Sequence, residues 1–296
     1  ARLRQLLLLL AARVAFPQLG AKAQLQAARE ASGGAWPTLE SEGWCEDVTC
    51  GTEGPAELLE PPGGEPLPPF LYVRESVPFD VTPTWQSRIS HAGCKCTESR
   101  SRFCGDECGC KKKGAAHAEC QYMCGCADKP QLCVNRPMQR GLRAPLQLFH
   151  DARKGWAVRT ALDVKSGEFV IEYVGEIISQ REAQRREALC PEAGNYFMEV
   201  GTGSAGAKSA VIDAYAVRNL APFMNFSCVP NLIVVRVPAA HGDRHYPRVA
   251  FMAKRDIKAG EELTYHRDSS ATTRGKRNSS MQCHCGAGEG KCAGFI

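Results

Sequence analysis

Nine cysteines fall between residues 94 and 133, at positions 94, 96, 104, 108, 110, 120, 124, 126 and 133, and no other stretch limits the folding of this chain so strongly. Cys94/Cys96, Cys108/Cys110 and Cys124/Cys126 are each separated by a single residue. Such close pairs bridge each other poorly, because a disulfide demands a Cα separation of about 5.5 Å and a fixed dihedral. Both thiols can instead reach one shared point if the backbone wraps around it. A zinc ion is such a point, taking four thiolates at about 2.3 Å in a tetrahedron. Nine thiolates do not divide into separate four-thiolate sites, whereas six terminal and three bridging thiolates complete three zinc ions in one cluster. That compact trinuclear cluster is the expectation. A disulfide knot, the usual home of dense cysteine, would leave one thiol over.

The 296 residues, 44% of them apolar, suffice for a real core in one large domain or two modest ones. A net charge of +5 is well short of a nucleic-acid footprint, and the run Lys111, Lys112, Lys113 reads as a solvated loop. The first residues, ARLRQLLLLLAARVAF, have the outline of a secretory signal, but the apolar run is too short to span a bilayer and an ordinary helix is preferred there. With no Met at its start, the chain is expected to be a fragment of something larger. Residues 31–69 are rich in Gly, Pro and Glu and read as linker. Cys45 and Cys50 in that region are assigned nothing.

Beyond Cys133 the pattern turns β-rich, with GWAVRTALDV, EFVIEYVGEII, NYFMEV, AVIDAY, NLIVVRV and RVAFMAK all reading as short strands. One helix stands out in SQREAQRREALC, where Ser179 and Glu182 make a capping box and the charges lie on a solvated face. There is also an internal echo. DVKSGEFVIEY at 163–173 and DIKAGEELTYH at 256–266 share a Gly-containing turn, a following Glu and a strand leading to Tyr, with Gly167 and Gly260 expected at positive φ. The chain closes on CHCGAGEGKCAGFI, whose Cys283, Cys285 and Cys292 are one thiolate short of a zinc site. Cys228 of NFSCVPN is the candidate for the fourth.

Taken in order, the nine-cysteine segment, KGWAVR, EYVGEI, NFSCVPN, GEELTY and the terminal cysteines resemble a SET-domain histone-lysine methyltransferase of the Suv39-like class with pre-SET and post-SET segments. The resemblance implies a mostly β fold of short curled sheets with a knotted core. It divides the chain into a poorly structured N-terminal segment and linker (1–69), a pre-SET zinc cluster (70–140), the SET domain (141–270) and a post-SET tail (271–296). It implies transfer of a methyl group from S-adenosylmethionine to the ε-amine of a lysine in a histone tail. The expected partners are a histone tail peptide and nucleosome or chromatin in the nucleus. Neither a membrane nor direct nucleic-acid binding is expected of this segment.

By the same resemblance Tyr173 and Tyr265 are the catalytic tyrosines, the first lining a lysine channel and the second at the position that sets how many methyl groups fit. Lys154, Gly155, Trp156, Tyr196, Asn225 and Phe226 are implied to bind the cofactor, and Phe197 to flank the substrate. Cys228, Cys283, Cys285 and Cys292 would hold one zinc ion and fold the tail over the site, while the nine-cysteine cluster would hold three. The chain departs from the family pattern at four positions. Arg267 stands where a second tyrosine is usual, Phe226 for a histidine, Ala157 for a glycine and Pro222 for an arginine; six residues rather than four separate Cys285 from Cys292. Arg267 opens an alternative, a catalytically silent SET-like module that binds chromatin.

Overall fold

The structure, a computed structural model, describes residues 48–49, 56–59, 67–68, 70–83, 93–98, 103–105, 108–110, 119–142, 144–200, 210–237, 239, 246–266, 282–288 and 290–294. The N-terminal run, Cys45, Cys50, Lys111–Lys113 and Arg267 lie outside the described residues.

Every strand expected beyond Cys133 is present. Apolar residues alternate in Leu146–Asp151 (β4) and Gly155–Thr160 (β5), so the pair closes as an antiparallel hairpin that buries Leu146, Leu148 and Val158. Ala56–Leu58 (β1) adds to its edge in parallel. A second sheet orders Leu232–Val237 (β12), Arg248–Ala253 (β13) and Phe169–Tyr173 (β6), all antiparallel. A third orders Val77–Pro78 (β3), Glu176–Ser179 (β7), Ala210–Asp213 (β9) and Phe197–Val200 (β8). Leu146, Leu148, Ile171, Ile212, Leu220, Phe251, Ile257 and Leu263 from these sheets and their connections meet in one buried cluster.

The run EFVIEYVGEII, read as one strand, divides between two sheets at Val174-Gly175. Gly175 permits this, because a Cβ there would collide with the backbone carbonyl of Asp213. Gly175→Ala is therefore expected to cost about 1–3 kcal/mol, read as a lower urea midpoint with an unchanged slope.

Below Pro137–Arg140 (α1) in sequence, the longer helix is Gln180–Leu189 (α2). Half of its expected capping box forms: Ser179 Oγ accepts from the Glu182 amide at 3.2 Å. The reciprocal half is replaced, since the Ser179 amide donates to Asp80 Oδ1 at 2.7 Å and the Glu182 carboxylate turns to Arg185 and Arg186. The solvated charged face also needs correction. Arg186 is 4% exposed and donates at 2.7 Å to both Glu176 and Asp213, with Phe79 packed on its guanidinium at 4.5 Å.

The two echo segments meet each other. Val164 and Ile257 exchange both backbone hydrogen bonds, at 2.9 and 2.8 Å. Asp256 accepts from the Ser166 amide at 2.9 Å, and Asp163 accepts from the matching Ala259 amide at the same distance. Lys165 pairs with Asp256 and Lys258 with Asp163. Gly167 and Gly260 hold the expected positive φ, 80° and 82°.

The cysteine segment docks through α1. Glu119, next to Cys120, accepts from the Met138 amide at 2.6 Å and from Gln139 Nε2 at 3.0 Å. Arg248 of β13 lies 3.7 Å from Glu119 and forks onto Glu172 of β6. Burial pushes both carboxyls above their usual range, and the shared arginine opposes that rise.

Candidate active site and metal centres

All nine cysteines of the segment are free thiols, and eight of them are buried. Their sulfurs are arranged about a triangle: Cys94 to Cys104 is 3.6 Å, Cys94 to Cys120 is 3.8 Å and Cys104 to Cys120 is 3.6 Å. Cys96 and Cys108 close a tetrad with Cys94 and Cys104, and Cys110 and Cys124 close another with Cys94 and Cys120. Cys126 gathers with all three corners, and Cys133 is fully buried in the same cluster. The edge of a tetrahedron with zinc–sulfur bonds of about 2.3 Å is about 3.8 Å, so the spacing fits shared metal ions and is far too long for disulfides. N–H groups face the sulfurs from outside: Gln121 and Cys94 amides to Cys124, Asn135 Nδ2 to Cys120, and the buried Arg136 guanidinium to Cys126.

The four expected tail thiols also converge. Cys228, Cys283, Cys285 and Cys292 lie within 4.8 Å of one another and are half-buried, with Cys228 to Cys283 at 3.8 Å and Cys285 to Cys292 at 3.6 Å. The two additional residues of GAGEGK are taken up in a loop with Gly286 and Gly290 at φ 69° and 79°.

Short parallel pairing of Asn225–Phe226 (β11) with Thr264–Tyr265 (β14) lays the NFSC and ELTY segments side by side, as a knotted core requires. The Ser227 amide donates to the Tyr265 carbonyl at 2.9 Å, and Asn231 accepts from the Thr264 amide at 2.9 Å. Tyr265 is thereby buried, edge-on to Phe226 and to Phe251, both at 4.8 Å. Tyr173 also packs on Phe251, at 6.3 Å, and its hydroxyl donates to the Tyr196 carbonyl at 2.7 Å. Burial, joined by the neighbouring Tyr265 and Asp213, pushes the Tyr173 phenol well above its usual range, with Arg218 opposing. It stays a neutral hydroxyl.

Lys154 and Asn225, two of the implied cofactor residues, meet at a carboxylate to which the sequence assigns no role. Glu262 takes the Lys154 ammonium on one oxygen and the Asn225 amide, at 3.2 Å, on the other. Asn225 Nδ2 also reaches the Trp156 carbonyl at 3.4 Å. Gly155, at φ 76°, has open space where a Cβ would stand, and the buried Trp156 indole N–H has no hydrogen-bond partner among the described residues. An open glycine turn beside an orphaned donor and an amide suits a polar, nucleoside-sized cofactor. Glu262 was visible in the GEELTY motif, but its spacing to Lys154, 108 positions away, was not.

Tyr196 faces Tyr215 at 5.4 Å, beside Tyr173. Phe197, the next residue, opens β8 and packs on Ile178, Ala183 and Val211. Of the departures, Ala157 is fully buried opposite Phe149 in the hairpin, and Phe226 forms a wall of the Tyr265 cluster.

Residues 155–266 match the SET domain family. Mouse histone-lysine N-methyltransferase SETMAR is 34% identical over 244 residues, which cover 74% of this chain and 76% of that protein. The methyltransferase domain of human SETMAR superposes with a TM-score of 0.65 at 29% identity, over 86% of this chain and 98% of that one. KRYPTONITE, solved with methylated DNA, an H3(1–15) peptide and SAH, superposes with a TM-score of 0.61 at 27% identity over 86% of this chain and 55% of that one. With cysteine clusters on either side of the matched core, the chain belongs to the SET-domain histone-lysine methyltransferases of the Suv39-like class.

Proposed function

We propose that this chain transfers methyl groups from S-adenosylmethionine to a lysine of a histone tail, on chromatin in the nucleus. The observation that carries the reading is the convergence of Tyr173, Tyr196 and Tyr265 beside the Glu262–Asn225–Lys154 cluster. Three zinc ions in the nine-cysteine cluster and one in the tail site complete the assignment. Nine thiolates outweigh three divalent ions, so the cluster is anionic, and the buried Arg136 supplies a compensating charge beside Cys126.

When bound, the cofactor supplies an electrophilic methyl on a sulfonium; the lysine nitrogen lone pair takes it, the carbon–sulfur bond breaks and S-adenosylhomocysteine leaves. The protein's task is to receive that lysine uncharged and aim it. Tyr173 and Tyr265 form an apolar slot that strips water from the amine. Because the Tyr173 hydroxyl keeps its proton and spends it on the Tyr196 carbonyl, its oxygen lone pairs are left to accept from the amine N–H. It orients the nucleophile and takes no proton from it. The half-buried tail site is anchored at Cys228, two residues after Phe226, which supports a role for the C-terminal segment in closing this slot.

A second reading, a silent module that binds tails without turnover, is favoured by Arg267 in place of a tyrosine. A guanidinium stays charged at all working pH values and opposes a cationic substrate. The two are separated by methyl transfer from labelled cofactor to histone peptides. The active reading expects label in the peptide, and Tyr173→Phe is expected to cut the rate about a hundredfold while costing about 1 kcal/mol of stability. Cofactor binding with no label transferred would establish the silent module.

A further inference from the structure

Behind the slot lies an arginine that none of the sequence motifs singled out. Arg218, in Val217–Arg218 (β10), is 1% exposed. Its guanidinium sits 4.2 Å from the Phe223 ring and 5.0 Å from each of Phe70 and Tyr196, and its Nε and Nη1 have no hydrogen-bond partner among the described residues. A buried charge is normally held by a carboxylate. Here Asp213, the carboxylate that ends the preceding strand β9, is committed to Arg186 and to the Tyr215 amide. The groups facing Arg218 are otherwise phenols and phenyl rings: Tyr196, Tyr173, Tyr215, Phe70 and Phe223. Aromatic faces attract a cation without neutralising it. Burial pushes the guanidinium below its ordinary range, with Tyr196 opposing, but an arginine starts so far above neutrality that it stays charged at working pH, packed against the ring of Tyr196, whose carbonyl receives the Tyr173 hydroxyl.

We propose that Arg218 is a positioning residue of the methyl-transfer site whose fixed positive charge, acting through the Tyr196–Tyr173 wall, keeps the incoming lysine amine in its neutral, nucleophilic form. The inference rests on the methyl-transfer reading and adds to it the means by which the ammonium is discouraged. A like charge in a water-poor site disfavours the protonated amine and leaves the neutral one untouched. The same charge disfavours the sulfonium of the cofactor relative to its thioether product. Two independent readouts follow, and only one of them needs turnover.

The test compares the full chain with R218M and R218Q, which remove the charge, and with R218K, which keeps it. Calorimetry with S-adenosylmethionine and S-adenosylhomocysteine is expected to show the ratio of their affinities moving toward the sulfonium by about three- to tenfold in R218M and R218Q, with R218K near the original ratio. The acid limb of the rate against pH on a histone peptide is expected to move up by about one pH unit in the uncharged variants. Should R218M fail to fold, R218Q carries the comparison, as its amide retains hydrogen bonding without charge. An affinity ratio that is the same in all variants, or an unmoved limb in variants that merely melt earlier, overturns the proposal while leaving the methyl-transfer reading standing. A parent chain that binds neither compound overturns both.

Discussion

Stripping zinc with a strong chelator is expected to unfold residues 94–133 and to abolish methyl transfer, the largest single effect that this structure supports. Among its described residues the segment's one regular element is the short turn Pro130–Leu132, and their buried cluster consists of the nine cysteines with Phe103 and Leu132. Without metal, buried thiolates at 3.6–3.8 Å would repel one another, and the remaining apolar area is too small to hold the loops together. Metal analysis of the purified chain is expected to give four zinc ions. Cys120→Ser, which removes a corner of the sulfur triangle, should behave like chelation, giving a lost near-ultraviolet signal and rapid proteolysis. Cys292→Ser should instead leave the melting temperature within a few degrees and lose activity, because the tail site is half-buried and lies outside the core. A chain that retains its fold and protease resistance after chelation would refute the cluster.

Replacing Arg186 by Met is expected to cost about 3–5 kcal/mol, the range found when one member of a buried ion pair is removed. The loss would come from two carboxylates, Glu176 and Asp213, each about 2% exposed and each 2.7 Å from Arg186. Both lie on the paired strands β7 and β9, in register with each other, so the arginine holds together two acids that would otherwise repel. Urea denaturation measures the cost. The double variant with Asp213→Asn should recover part of it, since one stranded charge is then gone; equal costs for the single and double variants would mean that the pair is not the cause.

Much of this fold was legible because its signals are local. Six apolar runs became strands, the Ser179 cap formed, and Gly167 and Gly260 took the turn conformation that glycine allows. The thiol clusters were legible for a different reason, since a tetrahedral ion constrains ligand count and spacing more tightly than packing does. Long-range pairings were not. Arg186 looked like one charge among many on an exposed helix, and nothing near it in sequence says that Asp213 will lie 27 positions away and within hydrogen-bond reach. Glu262 and Arg218 were missed likewise, because their partners arrive from other strands and burial, not residue type, gives them weight. Phe197 shows the converse: adjacent in sequence to Tyr196, which ends a 3-10 turn, it opens β8 and packs on Ile178, Ala183 and Val211, in a cluster separate from that of Tyr173.

The mutual clasp of the 163–168 and 256–261 turns has a consequence for how the slot acquires its width. One turn leads into the strand that ends at Tyr173, the other into the strand that ends at Tyr265, and each is completed by a carboxylate borrowed from its counterpart, 90 and 96 positions away. The two walls therefore share one fixed origin, like the jaws of calipers set by a single rivet. On the methyl-transfer reading, a shift at the rivet is expected to change the gap at the jaws, so that substitutions at this solvent-facing pair of aspartates alter which substrates are accepted.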